Sequence, residues 1–209
     1  MIIAVDGPTA SGKGTIARAL ADHFGLPVLD TGLLYRAVGY QTQLNHGDAD
    51  NAADALAACD FPDDLLDDPA LRYETTGGLA SRVSVHPAVR KALLQRQLDF
   101  AGQPGGAVLD GRDIGTVIAP HADAKLFVTA SAEERARRRH AEMLGRGVDI
   151  GYDAVLADIH ARDARDTGRT EAPLLRAADA MLLDNSDMDV AEGIAAAIAF
   201  VAERVRRPS

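Results

Sequence analysis

The chain opens MIIAVDGPTASGKGT, an apolar run that breaks into a glycine-rich turn holding one lysine. No other stretch constrains the fold as strongly. Ile2 to Val5 are apolar without alternation, the pattern of a strand buried on both faces of a parallel sheet. Beyond the turn, KGTIARALADHF places Ile16, Leu20 and Phe24 on one helical face, and Gly25 follows as a stop. Glycine inside an element costs stability, because folding must fix a very flexible backbone. Gly7, Gly12 and Gly14 therefore need a physical reason. Either they build a tight strand-to-helix junction, or they let a backbone wrap around a phosphate.

A strand, then GPTASGKGT, then a helix is the context that a P-loop requires. Gly7, Pro8, Thr9, Ala10, Ser11, Gly12, Lys13, Gly14 and Thr15 are thus the candidate cradle for a nucleoside triphosphate. Successive backbone N–H groups face a concavity, the helix N-terminus adds partial positive charge, and Lys13 brings a full charge to the β- and γ-phosphates. The general motif places Ser or Thr directly after the lysine, as a hydroxyl ligand for Mg²⁺. Here Gly14 occupies that place and Thr15 follows, the form seen in nucleoside monophosphate kinases. We expect no cage of protein ligands for Mg²⁺, which phosphates and water would hold with carboxylates nearby.

The remaining chain alternates strand and helix. Pro27–Asp30, Ala107–Asp110, Ala124–Thr129 and Ala180–Asp184 read as further strands. Helices are expected over Leu33–Leu44, briefly over Ala52–Ala58, from Pro87 to about Phe100, from the Ser131 cap with Glu134 as capping box, and over Gly151–Asp166. A last helix carries Val190, Ile194, Ile198, Val201 and Val205. RYETTGG reads as a small excursion. The alternation argues for a parallel sheet with helices on both faces.

Three clusters speak to a second substrate. In DTGLLYR, Thr31 and Arg36 suit a phosphate; as local structure they are a helix N-cap and a solvated charge. In DGRD, Arg112 would reach the crevice outside the strand ends that also receives Lys13, and Asp110 or Asp113 would order Mg²⁺ through water; the alternative is a turn with a local salt bridge. The third is ARRRHAEMLGRG with ARDARDTGR. Arg135, Arg137, Arg138, Arg139 and Arg146, then Arg162, Arg165 and Arg169, surround the glycine-punctuated LGRGVDIGYD, which reads as a lid. Arg162, Asp166 and Arg169 fall on one helical face by spacing. Solvated faces laced with i,i+4 ion pairs are the competing reading, strongest for Arg135, Arg137 and Arg138.

A formal net charge of −9 and 4% aromatic residues argue against nucleic acid as a partner. No apolar run approaches the ~20 residues that span a bilayer, and no signal peptide is evident, so a cytoplasmic location without membrane attachment is expected. Cys59 is the one cysteine, so no internal disulfide forms and a catalytic thiol is not expected.

Taken in order, GPTASGKGT, DTGLLYRAV, DGRDIGTV, KLFVTASAEERARRR, RDARDTGR and APLLRAADAMLLDNS resemble the bacterial cytidylate kinase family, from Met1 to about Val205. The resemblance implies a P-loop core of five parallel strands flanked by helices (1–45, 101–135, 170–209), a monophosphate-binding insert (about 46–100) and a mobile lid (about 136–169). It implies transfer of the γ-phosphoryl group of ATP to CMP or dCMP with Mg²⁺; separately, the chain is expected to be a monomer. Lys13, Arg112 and Arg162 would act on the reacting phosphates. Arg36, Arg112 and Arg169 match monophosphate-binding arginines, Asp166 a pentose-recognising residue, Thr31 a residue near base or sugar, and Ser81 a cytosine-recognising serine; Asp113 joins the substrate set. The family's insert carries a longer β-hairpin before LRYETTGGLASRVS than this chain has. Two rivals stand beside this reading: a P-loop kinase for another small acceptor such as UMP, and a nucleotide-switched binding module without phosphotransferase activity.

Overall fold

The computed structural model describes residues 1–206. In chain order the strands are β1 (Ile2–Asp6), β2 (Val28–Asp30), β3 (Ala107–Gly111), β4 (Ala124–Thr129) and β5 (Met181–Asp184). The helices are α1 (Lys13–Phe24), α2 (Thr31–Leu44), α3 (Ala52–Ala57), α4 (Glu74–Val83), α5 (Pro87–Ala101), α6 (Ala132–Gly145), α7 (Tyr152–Gly168) and α8 (Val190–Arg206). The sheet runs β2-β3-β1-β4-β5, and the pairs β1–β3, β1–β4 and β4–β5 are parallel. The expected five-stranded parallel sheet flanked by helices is therefore the architecture.

β1 lies at the centre of that sheet, which explains its unbroken apolar run: residues 3–6 are all buried. Its C-terminal end is where neighbouring strands continue on either side, the place where open α/β sheets bind ligands. The chain divides into two compact units, Met1–Leu29 with Ala101–Ser209, and Asp30–Phe100. In the first, Ile3, Val5, Val108, Leu126, Val128 and Leu183 of the sheet pack with Ile16 and Leu20 of α1 and Ala197 and Val201 of α8. A smaller cluster, Ala136, Met143, Val155 and Ile159, joins α6 to α7.

The second unit has its own core of Leu34, Val38, Phe61, Leu71, Val83 and Leu93. The segment before α4 forms two short 3-10 turns, Asp63–Asp67 and Pro69–Arg72, with no strand. The excursion expected at RYETTGG is instead the start of α4, whose Thr76 and Gly77 are buried. Thr31 is the first residue of α2 and Asp30 stands in the cap position, so Thr31 is not the N-cap.

Candidate active site

The turn after β1 is shaped by close backbone contact. A Cβ at Gly7 would meet the carbonyl oxygen of Val128 at 2.0 Å, so only glycine fits there. Gly12, in left-handed geometry (φ 84°), stands at the cap of α1 and supplies no side-chain cap. α6 differs: Ser131 Oγ accepts from the Glu134 N–H at 3.2 Å. No side chain caps the first turn of α1, whose Thr15 N–H donates to Gly12 O at 3.1 Å, and the positive end of the helix dipole stands at the loop. Lys13 Nζ lies over the loop and donates to Pro8 O at 3.3 Å. Ser11 is fully buried, and its Oγ has no hydrogen-bond partner among the described residues.

The departure at Gly14 has a physical cause. A Cβ there would sit 3.0 Å from Asp110 Oδ2, a buried carboxylate at the end of β3. A side chain at this position would press on the neighbouring strand's acid, which would have to give by a few tenths of an ångström.

β3 also delivers Arg112 and Asp113. Arg112 Nε pairs with Asp166 Oδ2 of α7 at 2.7 Å, and its Nη1 donates to Gly111 O. Burial pushes the Asp166 carboxyl upward, but Arg112, Arg169 and Lys13 outweigh it and hold its pKa below the usual carboxylate range. Arg162, one turn earlier on α7, is 6% exposed; burial lowers its pKa, opposed by Asp158 at 2.7 Å and by Asp166. The helical face expected for Arg162, Asp166 and Arg169 holds for the first two, whereas Arg169 follows the helix as its extended C-cap residue (φ −62°, ψ 139°). Lys13, Arg112, Arg162 and Arg169 therefore act electrostatically on one buried carboxylate beside the glycine-rich loop. Asp113 is buried, and its carbonyl accepts the N–H groups of Val117 and Ile118 in a π-type turn over Ile114–Ile118.

A parallel sheet with the loop at its central strand does not by itself tell one P-loop family from another. The family model described as cytidylate kinase matches residues 3–203. This chain belongs to the cytidylate kinase family. It is 58% identical to the cytidylate kinase of Xanthobacter autotrophicus over 98% of both chains, and 54% identical to that of Caulobacter vibrioides over 94% of this chain and 92% of that one. An uncharacterised protein of Eubacterium ventriosum shares the fold at a TM-score of 0.56 and 12% identity, over 99% of each chain. Cytidylate kinases phosphorylate at the expense of ATP, and family membership makes this chain an ATP-dependent kinase.

The other sequence-predicted residues lie in the second unit. Thr31 is buried at the start of α2. Arg36 is not a solvated charge: it is half-buried and donates from Nη1 to Leu71 O at 3.0 Å and Tyr73 O at 3.1 Å. Ser81 is half-buried on α4, and its carbonyl accepts from Ser84 Oγ. Sequence reasoning passed over Arg90, whose guanidinium stacks 5.6 Å from the centre of the Tyr35 ring, beside Arg36 in sequence. Only its place four residues after His86 in an apolar-faced helix marked it, which is no signal of contact with Tyr35.

The arginine-rich helix divides differently from its expected solvated face. Arg137 and Arg138 do pair with Glu134, at 2.6 and 2.7 Å. Arg135 is 5% exposed: its Nε donates to Ala130 O, its Nη1 to Thr9 O, and the fork closes on Asp163. Burial pushes the Cys59 thiol up to about 11.

Proposed function

We propose that this chain transfers the γ-phosphoryl group of ATP to CMP or dCMP, giving ADP with CDP or dCDP. The observation that carries the reading is the convergence of Lys13, Arg112, Arg162 and Arg169 on Asp166 next to a glycine-lined helix N-terminus, in a chain of net charge −9. The acceptor phosphate is already an oxyanion, so catalysis is mainly positioning two anions in line against their repulsion. Gly7 to Thr15 cradle the donor phosphates. Lys13, Arg112 and Arg162 neutralise the oxygens of the transferring group. Asp166 keeps Arg112 oriented and helps to recognise the pentose, with Asp113 in the same substrate set. Arg36 and Arg169 hold the acceptor phosphate, and Thr31 and Ser81 meet the nucleoside. The insert of about 46–100, within the compact unit Asp30–Phe100, supplies the monophosphate-binding part, and about 136–169 the lid that excludes water on closing.

Mg²⁺ belongs to this reaction as charge neutraliser on the donor phosphates. The residues present fit that use: Asp110 offers one buried carboxylate beside Gly14. A small hard cation that keeps water and phosphate oxygens needs no more than this from the protein. We also read the chain as a cytoplasmic monomer; no described helix is long and apolar enough to cross a membrane.

A coupled assay that scores ADP release with CMP, dCMP, UMP and AMP in turn tests the proposal. CMP and dCMP should be the preferred acceptors. ATP binding without any transfer would make the chain a nucleotide-switched module, and preference for UMP would move it to another acceptor.

A further inference from the structure

Within the glycine-rich loop, Ala10 sits in the left-handed region (φ 58°). A residue with a Cβ is strained there, and such a conformation persists only where its surroundings over-determine it. Those surroundings grip the carbonyl on each side. Arg135 Nη1 donates to Thr9 O at 3.1 Å, and Asn185 Nδ2 donates to Ser11 O at 2.9 Å. Both grips are braced from behind. The Arg135 fork also holds Ala130 O at 3.0 Å and the Asp163 carboxylate at 3.1 and 2.6 Å. Arg138 holds Asn185 at Oδ1 (2.9 Å) and O (2.6 Å). The methyl of Ala10 meanwhile packs against the cluster joining α6 to α7. Burying a guanidinium is costly, and a plain apolar residue would fill the space at least as stably. What the arginine adds is a fixed set of directions.

We propose that Arg135, with the Asn185–Arg138 pair, is a positioning residue of the phosphate loop. It holds the carbonyls that flank Ala10, keeps the strained cradle in its nucleotide-binding shape, and through Asp163 fixes that shape to the helix bearing Arg162 and Asp166. None of these groups need touch the reacting atoms. The inference rests on reading Gly7–Thr15 as the ATP cradle.

The test is a rescue. Arg135→Lys keeps the charge, but one ammonium cannot satisfy Ala130 O, Thr9 O and Asp163 with the geometry of a planar fork. Calorimetric titration with ATP should show binding weakened about tenfold. Glycine adopts the left-handed region without strain, so in an Ala10→Gly background the same substitution should weaken binding less than about threefold. Equal losses in the two backgrounds would overturn the inference. Should Arg135→Lys not fold, Asn185→Ala removes the other grip and is expected to show the same shrinkage on Ala10→Gly. A role in overall stability alone would shift the melting temperature and leave the two ATP losses equal. If the unmodified chain bound no ATP, the proposed function would fall; if it bound ATP and the losses were equal, this inference alone would fall.

Discussion

Asp166 and Lys13 show how a single side chain gains its meaning from neighbours far away in sequence. Lys13 adds to the field that keeps the buried Asp166 carboxyl ionised. Lys13→Ala is expected to lower kcat by roughly 10²–10³-fold, the range for removing one preorganised charge from a phosphoryl-transfer or oxyanion site. Circular dichroism should show the fold retained, since Lys13 is only half-buried and its bond to Pro8 O is long. Near-native turnover would remove Lys13 from the chemistry. Gly14 supports a less obvious expectation. Gly14→Ser would restore the general motif, yet its Cβ would press on Asp110 Oδ2. Forcing an atom against a buried group costs typically about 1–3 kcal/mol, so the variant should be less stable in urea titration and less active. The roles of Lys13 and Gly14 as loop residues are legible because motif and context lie within one short stretch. Arg135 is not legible, because its partners Thr9 and Asp163 lie 126 and 28 residues away and nothing local to ERARRR distinguishes it from Arg137.

The helices and strands of the first unit follow their local signals closely. β1, α1, β4 and the Ser131 cap begin and end where apolar period, glycine and capping residue place them. α4 breaks the rule. RYETTGG carries two glycines and no side-chain cap at Tyr73, so propensity points away from helix. Tertiary packing decides instead. Gly39 of α2 lies so close to α4 that a Cβ would stand 2.7 Å from Leu79 Cβ and 2.9 Å from its carbonyl carbon. A helix that forms because another helix can approach it leaves no mark in its own sequence. Gly39→Ala should therefore destabilise Asp30–Phe100, with a loss on the order of 1–3 kcal/mol read by denaturant titration. An unchanged midpoint would show that the two helices separate freely. Arg36 belongs to the same scale, since it ties α2 to the 3-10 turns through Leu71 O and Tyr73 O. Arg36→Ala is expected to raise KM for CMP at least tenfold and leave KM for ATP near its native value. A loss confined to ATP would reverse the assignment of acceptor and donor.

Over the whole molecule, an acidic chain buries carboxylates in two opposite ways. Asp6, at the end of the central strand, is pushed up to about 6 by burial, although it accepts the N–H groups of Ile114 and Gly115 at 2.8 and 2.7 Å. Asp166 is held low by the cations around it despite its burial. Their contributions to stability run against each other. Asp166 binds its proton less readily folded than unfolded, so its contribution is present above the ordinary carboxylate pKa and is lost as pH falls through its depressed value. Asp6 keeps its proton folded to about pH 6 but releases it near 3.8 unfolded. Between those values the folded state binds more protons, so stability falls as pH rises. The contribution is full below the unfolded pKa and gone above about pH 6. Asp6→Asn removes this slope and leaves that of Asp166 in place. The unfolding free energy of the native chain minus that of Asp6→Asn should therefore drop by on the order of 3 kcal/mol between about pH 4 and about pH 7, since each pH unit separating the folded and unfolded pKa contributes about 1.36 kcal/mol. Urea titrations across that range read the difference directly, and the constant cost of placing an amide before two N–H donors cancels in it. A difference that stays flat with pH would mean that the central strand carries an ordinarily ionised carboxylate, and that the two amides of the π-type turn fully offset its burial.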